Sequence, residues 1–238
     1  MGFFFAKGAA SASYSSEVLA DSPVAYYRLD ETSGSTAADS SGNALDGTYV
    51  NSPTLNQTGG LTGNAAVLFA RASSQRVNLG TPSALNVTGQ FTIECLYKPT
   101  SFPTGADEHM IVSHGYAGGA LGYILSIQGN GGSPRLAAGS YGAASYGTGW
   151  TITGWSTGQW KHIAAGYDGT NWKLFLDGVE VGSTGAAFGA LSSAQNSYIG
   201  AYADGAVKNH GDGVIDEVAL YAAWLGSTRI AAHVTAVA

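Results

Sequence analysis

The chain has 238 residues with 16 acidic and 10 basic side chains, a net charge of −6. With only 11% of residues charged and no basic stripe to neutralise phosphates, a nucleic-acid partner is excluded. No stretch approaches the ~20 apolar residues of a membrane-spanning helix. Thirty-five glycines, 13 tyrosines and little charge instead suggest a turn-rich, all-β chain. Its length suits a single sandwich with a core that needs no staples.

Residues 1–16 read as an arm, apolar at first ("MGFFFAK") and then small and polar ("GAASASYSS"). The apolar run, about four residues, falls short of the ~7–15 of a signal peptide, and no basic residue precedes it. The arm also fails the myristoylation pattern, because Ala6 stands where Ser or Thr is required. Residues 17–238 read as one domain with a uniform texture, short β-rich runs separated by Gly, Asn, Asp and Ser clusters. Strand candidates in chain order are "VAYYRLD", "AAVLFA", "FTIECLYK", "HMIVSHG", "GYILSIQ", "KHIAAGYD", "WKLFLD", "SYIGAY" and "VIDEVALY". Cys95, the one cysteine, lies in an alternating run and reads as a small buried hydrophobe; no disulfide within the chain is possible. Over 160–182, Asp168-Gly169 and Asp177-Gly178 are turn signals joining three antiparallel strands. Near the end, Ser227 is placed to cap a short helix over "TRIAAHV".

Four stretches in order, "VAYYRLDETSGSTAADSSGNALDGTYV", "FTIECLYKP", "WKHIAAGYDGTNWKLFLDGVEVG" and "GVIDEVALY", resemble the laminin-G-like domains of the concanavalin A-like jelly-roll superfamily, in their bacterial and phage form. The resemblance runs from about residue 18 to 233. It departs at "ECLYKP", where Leu96 stands in place of the family's usual tryptophan. The resemblance implies an all-β fold: a two-sheet antiparallel jelly-roll sandwich, one sheet concave, here with a short C-terminal helix and an extended N-terminal arm. It also implies sugar or protein binding, and in some members a structural calcium ion.

Asp39, Asn43 and Asp46 sit in a glycine-containing loop of the kind that can offer carboxylate and carbonyl oxygens to a hard cation. The resemblance assigns a Ca2+ site to Asp39 and Asp216, with Asn43 through its backbone oxygen. The competing reading is that these are simply turn residues. Asp30-Glu31 and Asp216-Glu217 are adjacent acids. Alternation on a strand sends neighbours to opposite faces, so neither is the same-face pair that a retaining glycosidase needs. The five histidines show no metal-ligand spacing. Tyr146, Trp150 and Trp155, in a Gly/Ser/Thr-rich stretch, are candidate ligand-stacking rings; Trp160 heads a strand and reads as core.

These readings point to a non-enzymatic binding or structural protein, a component of a phage virion such as a capsid decoration, head-fibre or tail-appendage protein. Phe3, Phe4 and Phe5 are its assembly anchor, each contributing at most roughly 1.5–3 kcal/mol on burial. Expected partners are other virion proteins or copies of the same chain, held through the arm, and cell-surface carbohydrate. The expected location is the virion, assembled in a bacterial cytoplasm. A free bacterial lectin, at the cell surface or secreted, is the alternative, with a glycoside hydrolase third.

Overall fold

The computed structural model describes residues 13–114, 122–141, 147–185, 195–203 and 206–237. Phe3, Phe4, Phe5 and Tyr146 lie outside them. The strands in chain order are β1 (Ala25–Tyr27), β2 (Thr36–Ala37), β3 (Gly47–Val50), β4 (Thr54–Thr58), β5 (Ala65–Phe69), β6 (Arg76–Gly80), β7 (Phe91–Pro99), β8 (Glu108–His114) and β9 (Gly122–Gln128). They continue with β10 (Arg135–Tyr141), β11 (Thr148–Thr151), β12 (Lys161–Tyr167), β13 (Asn171–Leu176), β14 (Val179–Gly185), β15 (Ser197–Ile199), β16 (Tyr202–Ala203), β17 (Val207–Lys208) and β18 (Gly213–Tyr221). Helix α1 spans Tyr14–Ala20 and α2 spans Gly226–Val237.

Two antiparallel sheets make the sandwich. Sheet A runs β14-β13-β12-β7-β18-β5-β4, with β1 also on β18; sheet B runs β11-β10-β9-β8-β15-β6-β3-β2. Alternation along each strand sends one set of side chains into the space between the sheets. Ile93, Cys95 and Tyr97 of β7, Trp172 and Leu174 of β13, and Ile215 of β18 meet Ile111, Tyr123, Leu125, Ile127 and Leu136 of sheet B. The core reading of Cys95 is met: it is fully buried, and burial pushes its thiol well above the usual range.

The two predicted turns form as read. Asp168 Oδ1 accepts from the backbone of Thr170 and Asn171, at 2.8 and 2.6 Å, and closes the β12–β13 turn. Between β13 and β14, Asp177 and Gly178 both take positive φ, 47° and 79°, the requirement of a type I′ hairpin. The outward residues of β7, β12 and β18, in the middle of sheet A, are also buried, because a helical layer covers them. Tyr14 and Val18 of α1 pack on Tyr26, Ala219 and Tyr221, and Ile230 of α2 packs on Ala164 and Phe175.

Two boundaries differ from the sequence reading. Residues 14–16, read as part of the arm, form the first turn of α1. Ser13 caps that turn by accepting from Ser16 N, and Tyr14, 1% exposed, is fixed in the domain. Helix α2 is longer than expected and starts at Gly226, so Ser227 lies in its first turn instead of capping it.

Candidate functional site

The loop after β2 is organised around Asp39. Its Oδ1 accepts from Tyr26 N and Ser41 N, both at 2.9 Å, and its Oδ2 accepts from Ser41 Oγ at 2.8 Å and Leu45 N at 3.0 Å. Asn43 donates its amide to the carbonyls of Val24 and Pro23, at 2.9 and 3.3 Å. Asp216, in the middle of β18, instead accepts at Oδ2 from Gly60 N and Asn64 Nδ2, at 2.8 and 2.9 Å. Asp39 and Asn43 are therefore brought together, while Asp216 belongs to another set of partners. Among the described residues no group of three or more His, Cys, Asp or Glu side chains is arranged to hold a metal. The three residues do not fit a shared calcium ion: hydrogen-bond donors already surround both oxygens of Asp39, and the loop is closed by its own backbone.

The acid pair in β18 overturns the alternation argument. The register against β7 shifts between Asp216 and Ala219, and Glu217 has φ +53°. This bulge aims both acids at one amide: Asn64 Nδ2 lies 2.9 Å from Asp216 Oδ2 and 3.2 Å from Glu217 Oε1. Tyr26 donates to the other oxygen of Glu217, and the Arg28 guanidinium stands 3.6 Å from Oε1. Both carboxyls are fully buried. Burial, reinforced by the charge of Glu217, pushes Asp216 up to about 7. Its Oδ1 has no hydrogen-bond partner. Two grooves flank this cluster. One is lined by Ser13, Tyr14, Arg28 and Asn64, the other by Arg28, Asp30, Thr32, Asn56 and Asn64.

The aromatic candidates divide. Trp155 is 4% exposed, donates Nε1 to the Gln159 carbonyl at 3.1 Å, and meets the rings of Tyr97 and Phe102 edge-on. It is a core residue, which corrects its reading as a ligand-stacking ring: the loop folds back over the end of the sandwich and carries the indole inward. Trp150, half-buried, sits on edge strand β11 opposite Leu136 and packs against the core with part of its ring in solvent. Trp160 is half-buried rather than core, with the Lys98 ammonium 4.9 Å from its ring centroid.

Sequence reasoning missed a polar row on the outer face of sheet B. The register places Glu108 opposite Gln128, Gln128 opposite Arg135, and Arg135 opposite Thr151, one residue from each of β8, β9, β10 and β11. Glu108 Oε1 accepts from Ser126 Oγ at 2.7 Å and Gln128 Nε2 at 3.3 Å, and Oε2 accepts from Asn209 at 3.0 Å. The Arg135 guanidinium lies over Gly149, where a Cβ would come within 2.8 Å of it. At the Glu108 end the row opens into a cleft of about 250 Å3 lined by Gly105, Ala106, Asp107, Glu108, Gln128 and Asn130. Arg71 pins Asp107 at its wall. The available signal was a charge or amide at the end of an apolar strand run, as in "EHMIVSH" and "GYILSIQ".

The fold and the polar outer face define a two-sheet jelly-roll of the lectin type. The chain belongs to the concanavalin A-like lectin/glucanases superfamily, whose Laminin_G_3 family model matches residues 71–231. Comparison with curated proteins finds no match. Among solved structures, domain 4 of AbnA, a GH43 extracellular arabinanase of Geobacillus stearothermophilus in complex with arabinotriose, is 21% identical; the likeness covers 89% of this chain and 98% of that one, with a TM-score of 0.65. Trypanosoma rangeli sialidase in complex with the inhibitor DANA is 17% identical over 88% of this chain but only 32% of the enzyme, with a TM-score of 0.64. The binding domain of botulinum neurotoxin DC in complex with SialylT is 11% identical over 92% of this chain and 52% of that one, with a TM-score of 0.65. These likenesses are of fold.

Proposed function

We propose that this chain is a non-enzymatic glycan-binding domain whose sugar site is the cleft at the Glu108 end of sheet B. The observation that carries this reading is the row of acid, amide, guanidinium and hydroxyl across four adjacent strands, Glu108–Gln128–Arg135–Thr151, running into that cleft. Alternating donors and acceptors on a rigid sheet suit the hydroxyls of a sugar. That a domain of the same fold takes arabinotriose supports the choice of ligand class. The buried acids of β18 serve the fold and not hydrolysis, since neither side chain reaches solvent.

A glycan array tests the site. Bacterial surface polysaccharides are expected to bind, and the variant Gln128→Ala, which leaves the left-handed backbone at Asn130 untouched, to weaken binding at least tenfold with the sandwich still folded by circular dichroism. Silence across the array, or equal binding by the variant, overturns the reading.

The finer part of the proposal is that the domain is displayed on a phage virion of the bacterial and phage branch, attached through Phe3, Phe4 and Phe5. Deleting residues 2–12 is then expected to abolish incorporation into particles and leave the sandwich folded; normal incorporation overturns it.

A further inference from the structure

The outer face of sheet A carries a second cluster that glycan binding does not use. Glu94 of β7 is fully buried there, yet three side chains converge on its carboxylate. His162 of β12 approaches Oε2 with Nε2 at 3.2 Å, Tyr221 of β18 donates to Oε1, and His233 of α2 places Nδ1 at 2.8 Å from Oε1 and 3.0 Å from Oε2. Tyr14 of α1 lies edge-on to both histidine rings, 6.0 and 6.1 Å away.

His233 faces a carboxylate on each ring nitrogen. While Nδ1 meets Glu94, Nε2 lies 3.0 Å from Oδ2 of Asp21, the C-cap of α1. A neutral imidazole carries one N–H and can serve only one of the two; an imidazolium serves both. Nε2 also lies 3.2 Å from Arg229 Nη2, a donor that only a bare lone pair can accept. The ring therefore has two arrangements. Protonated, it ties β7 to the end of α1. Neutral, it keeps Glu94, turns its lone pair to Arg229 and gives up Asp21.

We propose that His233 is a proton-operated latch that holds α1 against sheet A when charged and loosens it when neutral. The groups facing the ring are Glu94, His162 and Tyr221 from the sheet, Tyr14, Glu17 and Asp21 from α1, and Arg229 from its own helix. Burial works against the charged ring, but the hydrogen bond and charge of Glu94 outweigh it and hold His233 above the usual histidine range. Arg229 remains on Glu17 and Asp21, both at 2.8 Å, in either state, so the helix is loosened and not shed.

Proton NMR of the histidine rings, paired with amide hydrogen exchange of α1 from pH 5 to 9.5, tests the latch. His233 is expected to titrate above the usual value, and α1 protection, corrected for intrinsic exchange, to fall about tenfold across the same range while β7 and β12 hold. His233→Gln should show the low protection at every pH. Because that change touches Glu94, Asp21→Asn is the second variant: His233 still titrates in it, but the step in α1 disappears. An α1 whose protection is flat through the His233 titration, or an Asp21→Asn variant with an unaltered step, overturns the proposal.

Discussion

Asp216 carries one satisfied oxygen and one without a partner, in a site closed to water. An acid whose native pKa lies above its unfolded value binds its proton more tightly when folded, so it weakens the fold as pH rises. For Asp216 the loss starts near pH 4, the unfolded range, and ends above about 7. Its full size is at most about 4 kcal/mol. Asp216→Asn should remove this slope: between pH 5 and 8 the urea midpoint of the native chain is expected to fall, and that of the variant to fall by distinctly less. Parallel slopes would show that the carboxyl is solvated or ionised throughout. Legibility at this scale depended on whether a residue's surroundings are local in sequence. Cys95 was readable because alternation alone puts it between the sheets. Glu217 was not: one left-handed backbone residue rotates it onto the face of its neighbour, and no composition marks that bulge. Trp155 looked available to a ligand because small polar residues surround it in sequence, while its actual neighbours, Tyr97 and Phe102, lie far along the chain.

Strands and turns followed from periodicity and from Asp-Gly pairs, so β7, β12, β13 and β18 stand where the patterns placed them. The helical layer did not. "SASYSS" reads as the end of an arm because small residues dominate it, but Tyr14 and Val18, four apart, form the stripe that docks α1. The polar row on sheet B was invisible because it exists only in cross-strand register, which no single strand encodes. Packing between elements also fixes which glycines are needed. Gly166 in β12 faces β7 so closely that a Cβ would sit 2.1 Å from the Phe91 carbonyl oxygen. Because the obstacle is backbone, no rotamer relieves it. Gly166→Ala should lower stability by about 1–3 kcal/mol, seen as a lower urea midpoint with an unchanged slope. A neutral result would mean that β7 and β12 can separate without cost.

The whole molecule has a pH window set by its buried charges. Burial opposes ionisation of Glu94, but its hydrogen bonds from His162 and His233, and their charges, hold it at about 2, so its contribution is present above about 4.5 and lost as pH falls toward 2. His233 has the opposite sign: its contribution is complete below about 6.5 and lost as pH rises through its elevated native value. Asp216 adds a loss over the same rising range. Together these place maximal stability near pH 5, to be checked by denaturation across pH 3 to 9. A maximum at pH 8 would mean that these groups do not dominate.

Helices α1 and α2 lie side by side on sheet A, whereas the cleft belongs to the outer face of sheet B. The sandwich is thus a plate with a back and a front. Whatever grips the helices holds the back, and a monolayer of such plates would present every cleft outward, with one orientation, at a spacing set by the width of a single sandwich.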